Sequence, residues 1–190
     1  MSPPKDIDRP RQAVVLAGGL GTRLRPFTNT MPKPMIPVNG QPFLSYLLTQ
    51  LRDNGFERVL ILLGYRAESI VQYYGSGENL GIEIEYSITD VSNETGKRLK
   101  EAYTKLDKFF FLLYCDNYWR YNFDDMWGLY LTKQWDAQVS VYQNLDGLTR
   151  DNMRVDDAGT VRLYDKSRKS AGLSGVDIGF LILKIELGSK

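Results

Sequence analysis

The sequence predicts an α/β fold, a mostly parallel sheet with helices on both faces and a small antiparallel addition late in the chain. Three observations carry this expectation. Ala13 to Ala17, Arg58 to Leu63 and Phe109 to Tyr114 are short, nearly continuous apolar runs, the pattern of strands covered on both faces. Between them lie stretches whose apolar residues recur at helical spacing. The first and last runs end on residues suited to contacting ligands, Gly18-Gly19-Leu20-Gly21 and Cys115-Asp116-Asn117. Strands alternating with helices imply parallel pairing, because each crossover helix must pack back on the sheet.

The elements follow in order. After the first strand, Pro42 suits a helix start. Leu44, Leu47, Leu48 and Leu51 then form one face, and Gly55 stops it. The strand Arg58 to Leu63 ends at Gly64. A short helix over Ala67 to Tyr74 closes on Gly75-Ser76-Gly77. Ile82, Ile84, Tyr86 and Ile88 alternate as a strand does. Thr95 is the expected cap of a helix whose face is Leu99, Ala102, Tyr103 and Leu106. Phe109 to Tyr114 is the third buried-type strand, expected beside the first. Phe123, Met126, Trp127, Tyr130 and Leu131 form a further helical face. Strands are then expected near Ala137 to Gln143, Met153 to Asp156, Thr160 to Asp165 and Val176 to Leu183, with Asp157-Ala158-Gly159 as a hairpin turn. Residues 1–11, polar and proline-bearing, are expected to be a flexible N-terminal segment, and residues 12–190 a single domain. In such sheets ligands sit beyond the carboxyl ends of the strands, where strand order reverses.

Composition narrows the function. The 190 residues carry 24 basic and 23 acidic side chains, without the basic excess of a nucleic-acid-binding domain. One cysteine, Cys115, excludes an intrachain disulfide and a multi-cysteine zinc site. There is no histidine, which removes Ser-His-Asp and Cys-His hydrolysis and histidine-ligated metals. No run approaches the ~20 apolar residues of a membrane span, and no signal-peptide core opens the chain. A soluble cytoplasmic protein, with neither nucleic acid nor membrane as partner, is the expectation.

The most informative segment is Leu16-Ala17-Gly18-Gly19-Leu20-Gly21-Thr22-Arg23-Leu24, followed by Pro32-Lys33-Pro34-Met35. Glycines after a strand let backbone N–H groups approach an anion, and Arg23 and Lys33 add full charges nearby. Arginine's planar fork matches phosphate oxygens, and the flanking prolines restrict the backbone that carries the ammonium. The spacing is not that of a P-loop, and Leu24 stands where a dinucleotide fingerprint needs its third glycine. The plain alternative is a glycine-rich surface turn beside two solvated cations. Asp116, directly after a buried strand, must be solvated, paired, coordinated or capping the next turn.

From Gly18 to Val38 the chain matches GGxGTRLxPxTxxxPKPMxPV position for position and so resembles the sugar-phosphate nucleotidyltransferases. The PKPMIPV form is most similar to the mannose-1-phosphate and manno-heptose-1-phosphate guanylyltransferase branch. The resemblance implies a Rossmann-like, glycosyltransferase-A-like fold and transfer from a nucleoside triphosphate, with GTP favoured, to a hexose or heptose 1-phosphate. It implies Arg23 and Lys33 as catalytic residues. Leu16, Ala17, Gly18, Gly19, Gly21, Thr22, Arg23 and Gly96 would bind nucleotide, Lys166 and Asp177 the sugar phosphate, and Asp116 Mg²⁺. The lack of histidine suits this chemistry: a sugar phosphate is already largely ionised at neutral pH, its second pKa being about 6, so no general base is needed. Charge stabilisation by cations is needed instead. The family also leaves room for a homo-oligomer or a fused downstream domain.

Several positions depart from the family pattern. Glu94-Thr95-Gly96-Lys97-Arg98 stands where a GTGGA loop is usual, Cys115 precedes Asp116 in place of glycine, and Asp165-Lys166-Ser167 replaces Glu-Lys-Pro. Lys97 and Arg98 read as an exposed helix face, with phosphate contact as the alternative. Lys166, beside Arg168 and Lys169, reads equally as a solvated basic face, and Asp177 as a surface residue of an edge strand. A second metal carboxylate from a later segment is not found before Lys190. These departures motivate a competing reading, a non-catalytic nucleotide-sensing subunit. A glycosyltransferase ranks last, because Cys115-Asp116-Asn117 offers one carboxylate and not a pair.

Overall fold

The computed structural model describes residues 8–133 and 135–185. Ten strands and four helices occur in it. The strands are β1 (Gln12–Ala17), β2 (Pro37–Val38), β3 (Gln41–Pro42), β4 (Arg58–Leu63), β5 (Glu83–Ile88), β6 (Phe109–Tyr114), β7 (Ala137–Tyr142), β8 (Met153–Val155), β9 (Val161–Tyr164) and β10 (Val176–Lys184). The helices are α1 (Phe43–Asp53), α2 (Ala67–Tyr74), α3 (Thr95–Glu101) and α4 (Phe123–Lys133). Six strands form the main sheet in the order β5-β4-β1-β6-β10-β7. The β5-β4-β1-β6 part is parallel, and β10 runs antiparallel between β6 and β7. As the sequence predicts, β1 and β6 are neighbours.

The side-chain period of two divides the core between the faces of the sheet. Val15, Ile61, Phe111 and Leu113 point to one face, where α1, α2 and α4 pack through Leu47, Leu51, Ile70 and Trp127. Val14, Leu60, Leu62, Phe110 and Leu112 point to the other, covered by Leu99, Ala102 and Leu106 on and after α3. Edge-to-face contacts join Phe56, Phe111 and Phe123, each pair contributing about 0.5–1.5 kcal/mol beyond its buried area. Arg9 ties the chain's entry to this layer: it pairs with Asp124 at 2.8 Å and lies over the Phe56 ring.

The boundaries of several elements differ from expectation for local reasons. Helix α1 begins at Phe43, with extended Pro42 as its cap residue. It ends in a Schellman pair, Phe56 N–H to Leu51 O and Gly55 N–H to Arg52 O. Glu94, not Thr95, is the cap residue of α3. That helix stops at Glu101, and the expected continuation through Tyr103 is a separate 3-10 turn, Tyr103–Lys105. Strands β8 and β9 form the expected hairpin, its turn held by Asp156 accepting from the N–H groups of Ala158 and Thr160. Strands β7 and β10, expected in an antiparallel addition, join the main sheet. Among the described residues no helix is long and apolar enough to cross a membrane.

Candidate active site

The chain winds outward from β1 to β4 to β5, then crosses to β6 on the other side of β1. The carboxyl ends of β1 and β6 therefore flank the place where strand order reverses, and both ligand-type loops emerge there. Cys115 N–H donates to Leu16 O at 3.3 Å, carrying the pairing of these two strands one step into the loops.

After β1 the chain turns through Gly18 to Gly21 into three single helical turns, Thr22–Leu24, Phe27–Asn29 and Lys33–Met35. The buried Thr28 hydroxyl donates to Gly21 O at 3.0 Å, and the Tyr65 hydroxyl donates to Thr28 O at 2.9 Å. This bracing leaves Arg23 exposed on its turn. Lys33, between Pro32 and Pro34, reaches across to Asp116 and pairs with its carboxylate.

Two lobes of one cleft meet at these residues. The first, about 760 Å³, is walled by Leu16, Ala17, Gly19 and Gly21 on one side and by Glu94, Thr95 and Gly96 on the other. The second, about 920 Å³, is lined by Tyr118, Trp119, Asn152 and Arg168. Arg23, Lys33, Asp116, Lys166 and Asp177 line both. At this shared waist three cations face two carboxylates, which suits an incoming polyanion. Of the residues expected to bind nucleotide, Leu16, Ala17, Gly19, Gly21, Arg23 and Gly96 line the first lobe. Thr22 lies exposed on the turn behind Arg23. Gly18 is set back, since a Cβ there would stand 2.5 Å from Arg98 Cζ.

The second lobe holds a carboxylate whose setting the sequence conceals. Strand β10 is interior to the sheet, so Asp177 is buried and is not the edge-strand surface residue considered above. The Tyr114 hydroxyl donates to Asp177 Oδ2 at 2.9 Å, and Gly179 N–H donates to Oδ1 at 2.8 Å. Asn152 Oδ1 accepts from Asp177 N–H at 2.8 Å. Burial first, then the Asp177 charge, pushes the Tyr114 phenol far up, so it remains a donor. The fold allows this through a break in pairing: Asp177 faces Val141 and Leu181 faces Val139, so four steps of β10 span two of β7. Gly179 sits in that bulge at φ 77°, where a Cβ would lie 2.6 Å from the Tyr114 ring. In the sequence Tyr114 belongs to an aromatic run of core character with ring stacking on a base or sugar as the lesser alternative, and neither its hydroxyl bond to Asp177 nor the place of Asn152 is legible. Tyr114 reads as the last residue of an apolar strand, and Asn152 carries no motif.

Lys166 is presented by a turn that Asp165 organises. The Asp165 carboxylate accepts from the Ser167 hydroxyl at 2.6 Å and from the N–H groups of Ser167, Lys169 and Ser170 at 2.8–2.9 Å. These bonds, the Ser167 hydroxyl first, hold its pKa well below the usual carboxylate range. Arg168 lines the second lobe and donates to Arg150 O at 2.7 Å, while Lys166 lines both lobes. Cys115 is buried, and burial first, with Asp116 second, pushes its thiol up to about 12. Arg98, expected on an exposed helix face, is instead buried beneath the glycine loop.

A family profile described as nucleotidyl transferase matches residues 12–147. A D-glycero-alpha-D-manno-heptose 1-phosphate guanylyltransferase of Aneurinibacillus thermoaerophilus is 32% identical over 154 residues, covering 81% of this chain and 64% of that protein. A UTP–glucose-1-phosphate uridylyltransferase of Synechocystis sp. is 43% identical over 76 residues, 40% of this chain and 20% of that one. The chain thus spans 20–64% of the length of these two relatives. The crystal structure of HddC from Yersinia pseudotuberculosis superposes with a TM-score of 0.76 at 25% identity, over 91% of this chain and 76% of that chain.

Proposed function

The chain belongs to the nucleotidyl transferase family, and from that premise we propose that it joins a nucleoside triphosphate to a sugar 1-phosphate, releasing pyrophosphate. The observation that carries the proposal is the two-lobed cleft with one charged waist. A transferase of this kind must hold two anionic substrates end to end with the reacting phosphorus between them. The first lobe, apolar at Leu16 and Ala17, takes the nucleoside. The second, with the fixed carboxylate of Asp177, takes the sugar, whose hydroxyls donate to it.

In the reaction a sugar-phosphate oxygen bonds to the α-phosphorus, and the bond from that phosphorus to the bridging oxygen breaks. Pyrophosphate leaves with the electron pair. Arg23 and Lys33 stand at the waist, where negative charge from both substrates accumulates, and they stabilise it without transferring a proton. Lys166 neutralises the sugar phosphate and lessens repulsion between the two anions.

The donor set at the waist fits Mg²⁺. Asp116 is a hard oxygen ligand facing the cleft, and Mg²⁺ is commonly held by one or two carboxylates together with substrate phosphates. Among the described residues there is no cluster of three or more potential ligands, so Asp116 would be its main protein anchor. When bound, the ion supplies positive charge to the phosphate oxygens. The preferred pair is GTP with a hexose or heptose 1-phosphate, supported by the guanylyltransferase relative and by the PKPMIPV form of residues 32–38. The cytoplasm is the proposed setting.

A pyrophosphate-release assay crossing the common nucleoside triphosphates with several sugar 1-phosphates, with and without Mg²⁺, tests this. Turnover is expected with at least one pair and highest with GTP. Tight nucleotide binding without turnover for any pair would reject the transferase in favour of the sensing subunit.

A further inference from the structure

We propose that Arg98 is the positioning residue of the phosphate cradle, fixing from beneath the peptide plane that offers the Gly19 N–H to the nucleotide. The inference rests on the nucleotide site proposed above and concerns a residue that stands where the family pattern has alanine.

The guanidinium of Arg98 fills the gap between the carboxyl ends of β1 and β4. Nη1 donates to Leu63 O at 2.6 Å and to Thr89 Oγ1, and Nη2 donates to Gly18 O at 3.3 Å and Val91 O at 3.2 Å. These four acceptors are uncharged oxygens; burial disfavours the Arg98 charge, and the nearby carboxylates of Glu101 and Asp90 favour it. A Cβ at Gly18 would stand 2.5 Å from Cζ, and one at Gly64 would stand 2.7 Å from both terminal nitrogens. The two glycines, each directly after its strand, leave room for the guanidinium, and at Gly64 the Gly18 carbonyl oxygen would crowd a Cβ equally, at 2.7 Å.

The consequence for the loop follows from peptide geometry. In a trans peptide the C=O of one residue and the N–H of the next point in opposite directions. Gly18 O is drawn inward by Arg98 and by the Tyr65 N–H at 3.2 Å. The Gly19 N–H must then point outward, and Gly19 lines the nucleotide lobe. A donor held this way costs no reorganisation when phosphate arrives. Lysine cannot substitute, because an ammonium lacks the planar fork that spans Leu63 O, Gly18 O and Val91 O together.

The test measures binding of inorganic tripolyphosphate to the full chain by calorimetry, for the unmodified protein, Arg98→Lys and Arg98→Gln. Steady-state KM values for both substrates are measured alongside. Arg98→Lys is expected to weaken tripolyphosphate about tenfold or more, with the KM for nucleoside triphosphate rising in parallel. The KM for sugar 1-phosphate should stay within about twofold, a split that general loosening of the fold would not give. In the unmodified protein labelled with ¹⁵N-glycine, the Gly19 amide, assigned by its loss in Gly19→Ala, should shift on adding tripolyphosphate. That measurement stands even where the arginine variants fail to fold. If the unmodified chain binds tripolyphosphate while Arg98→Lys binds equally well, or if the Gly19 amide does not respond, the positioning role is overturned and the site remains. If the unmodified chain does not bind tripolyphosphate, the cradle itself is wrong and this inference falls with it.

Discussion

The Lys33 ammonium and the Asp116 carboxylate form an ion pair at the cleft waist, from segments 83 positions apart. Both side chains are partly exposed, at 26% and 29%. A pair so placed contributes no more than about 1 kcal/mol to stability. In the proposed roles, the residue that grips phosphate and the residue that holds Mg²⁺ neutralise each other in the absence of substrate.

Asp116→Asn is therefore expected to fold normally but to need far more metal. The half-saturating Mg²⁺ concentration in the pyrophosphate assay should rise about tenfold or more, while thermal unfolding moves little. An unchanged Mg²⁺ titration would remove Asp116 as the metal anchor.

Arg23→Ala removes a side chain that is exposed on its turn. Stability should change by less than about 0.5 kcal/mol, as for other surface substitutions. Turnover should fall about 10²–10³-fold if the guanidinium stabilises charge on the transferring group. Single-turnover kinetics separate this from slower product release, and a near-normal rate would dismiss the assigned role.

Alkaline pH should loosen the fold in a defined window. Burial pushes the phenols of Tyr74 and Tyr86 up to about 12, Tyr74 against the lowering effect of its Ser45 hydrogen bond. In the unfolded chain the same groups ionise near about 10. The folded state holds protons that the unfolded state releases, so stability is full below about pH 10 and declines as pH rises toward 12. Thermal melts across that range, read beside tyrosinate absorbance, give the slope. The Cys115 thiol, raised likewise by burial, should resist alkylation at pH 8 in the native state and react on denaturation.

Much of the architecture is legible because the parallel core leaves a simple trace. The runs at residues 13–17, 58–63 and 109–114 must be apolar on both faces, and the helices between them must be apolar on one. The glycine loop and Lys33 are legible for a similar reason, being contiguous in sequence. What sequence hides is anything settled by strand order. Nothing in Val176-Asp177-Ile178-Gly179 says that the strand will lie inside the sheet, so the burial of Asp177 and its bond from Tyr114 appear only once β10 is placed beside β6. Arg98 is hidden in the same way. Its flanking lysines suggest a solvated face, and only the approach of Gly18 and Gly64 reveals a slot of guanidinium size.

The slack in β10 has a consequence for how such a molecule can diversify. From Phe180 to Lys184 that strand is locked residue for residue to β6, whereas Val176 and Asp177 are registered against β7 on the far side of the irregularity. The joint uncouples the segment proposed to face the sugar from the segment that seals the interior. If Asp177 grips sugar hydroxyls as proposed, substitutions or small length changes ahead of the joint can retune that grip while the aromatic filling behind it stays in place, so acceptor preference can drift without the chain having to relearn how to fold.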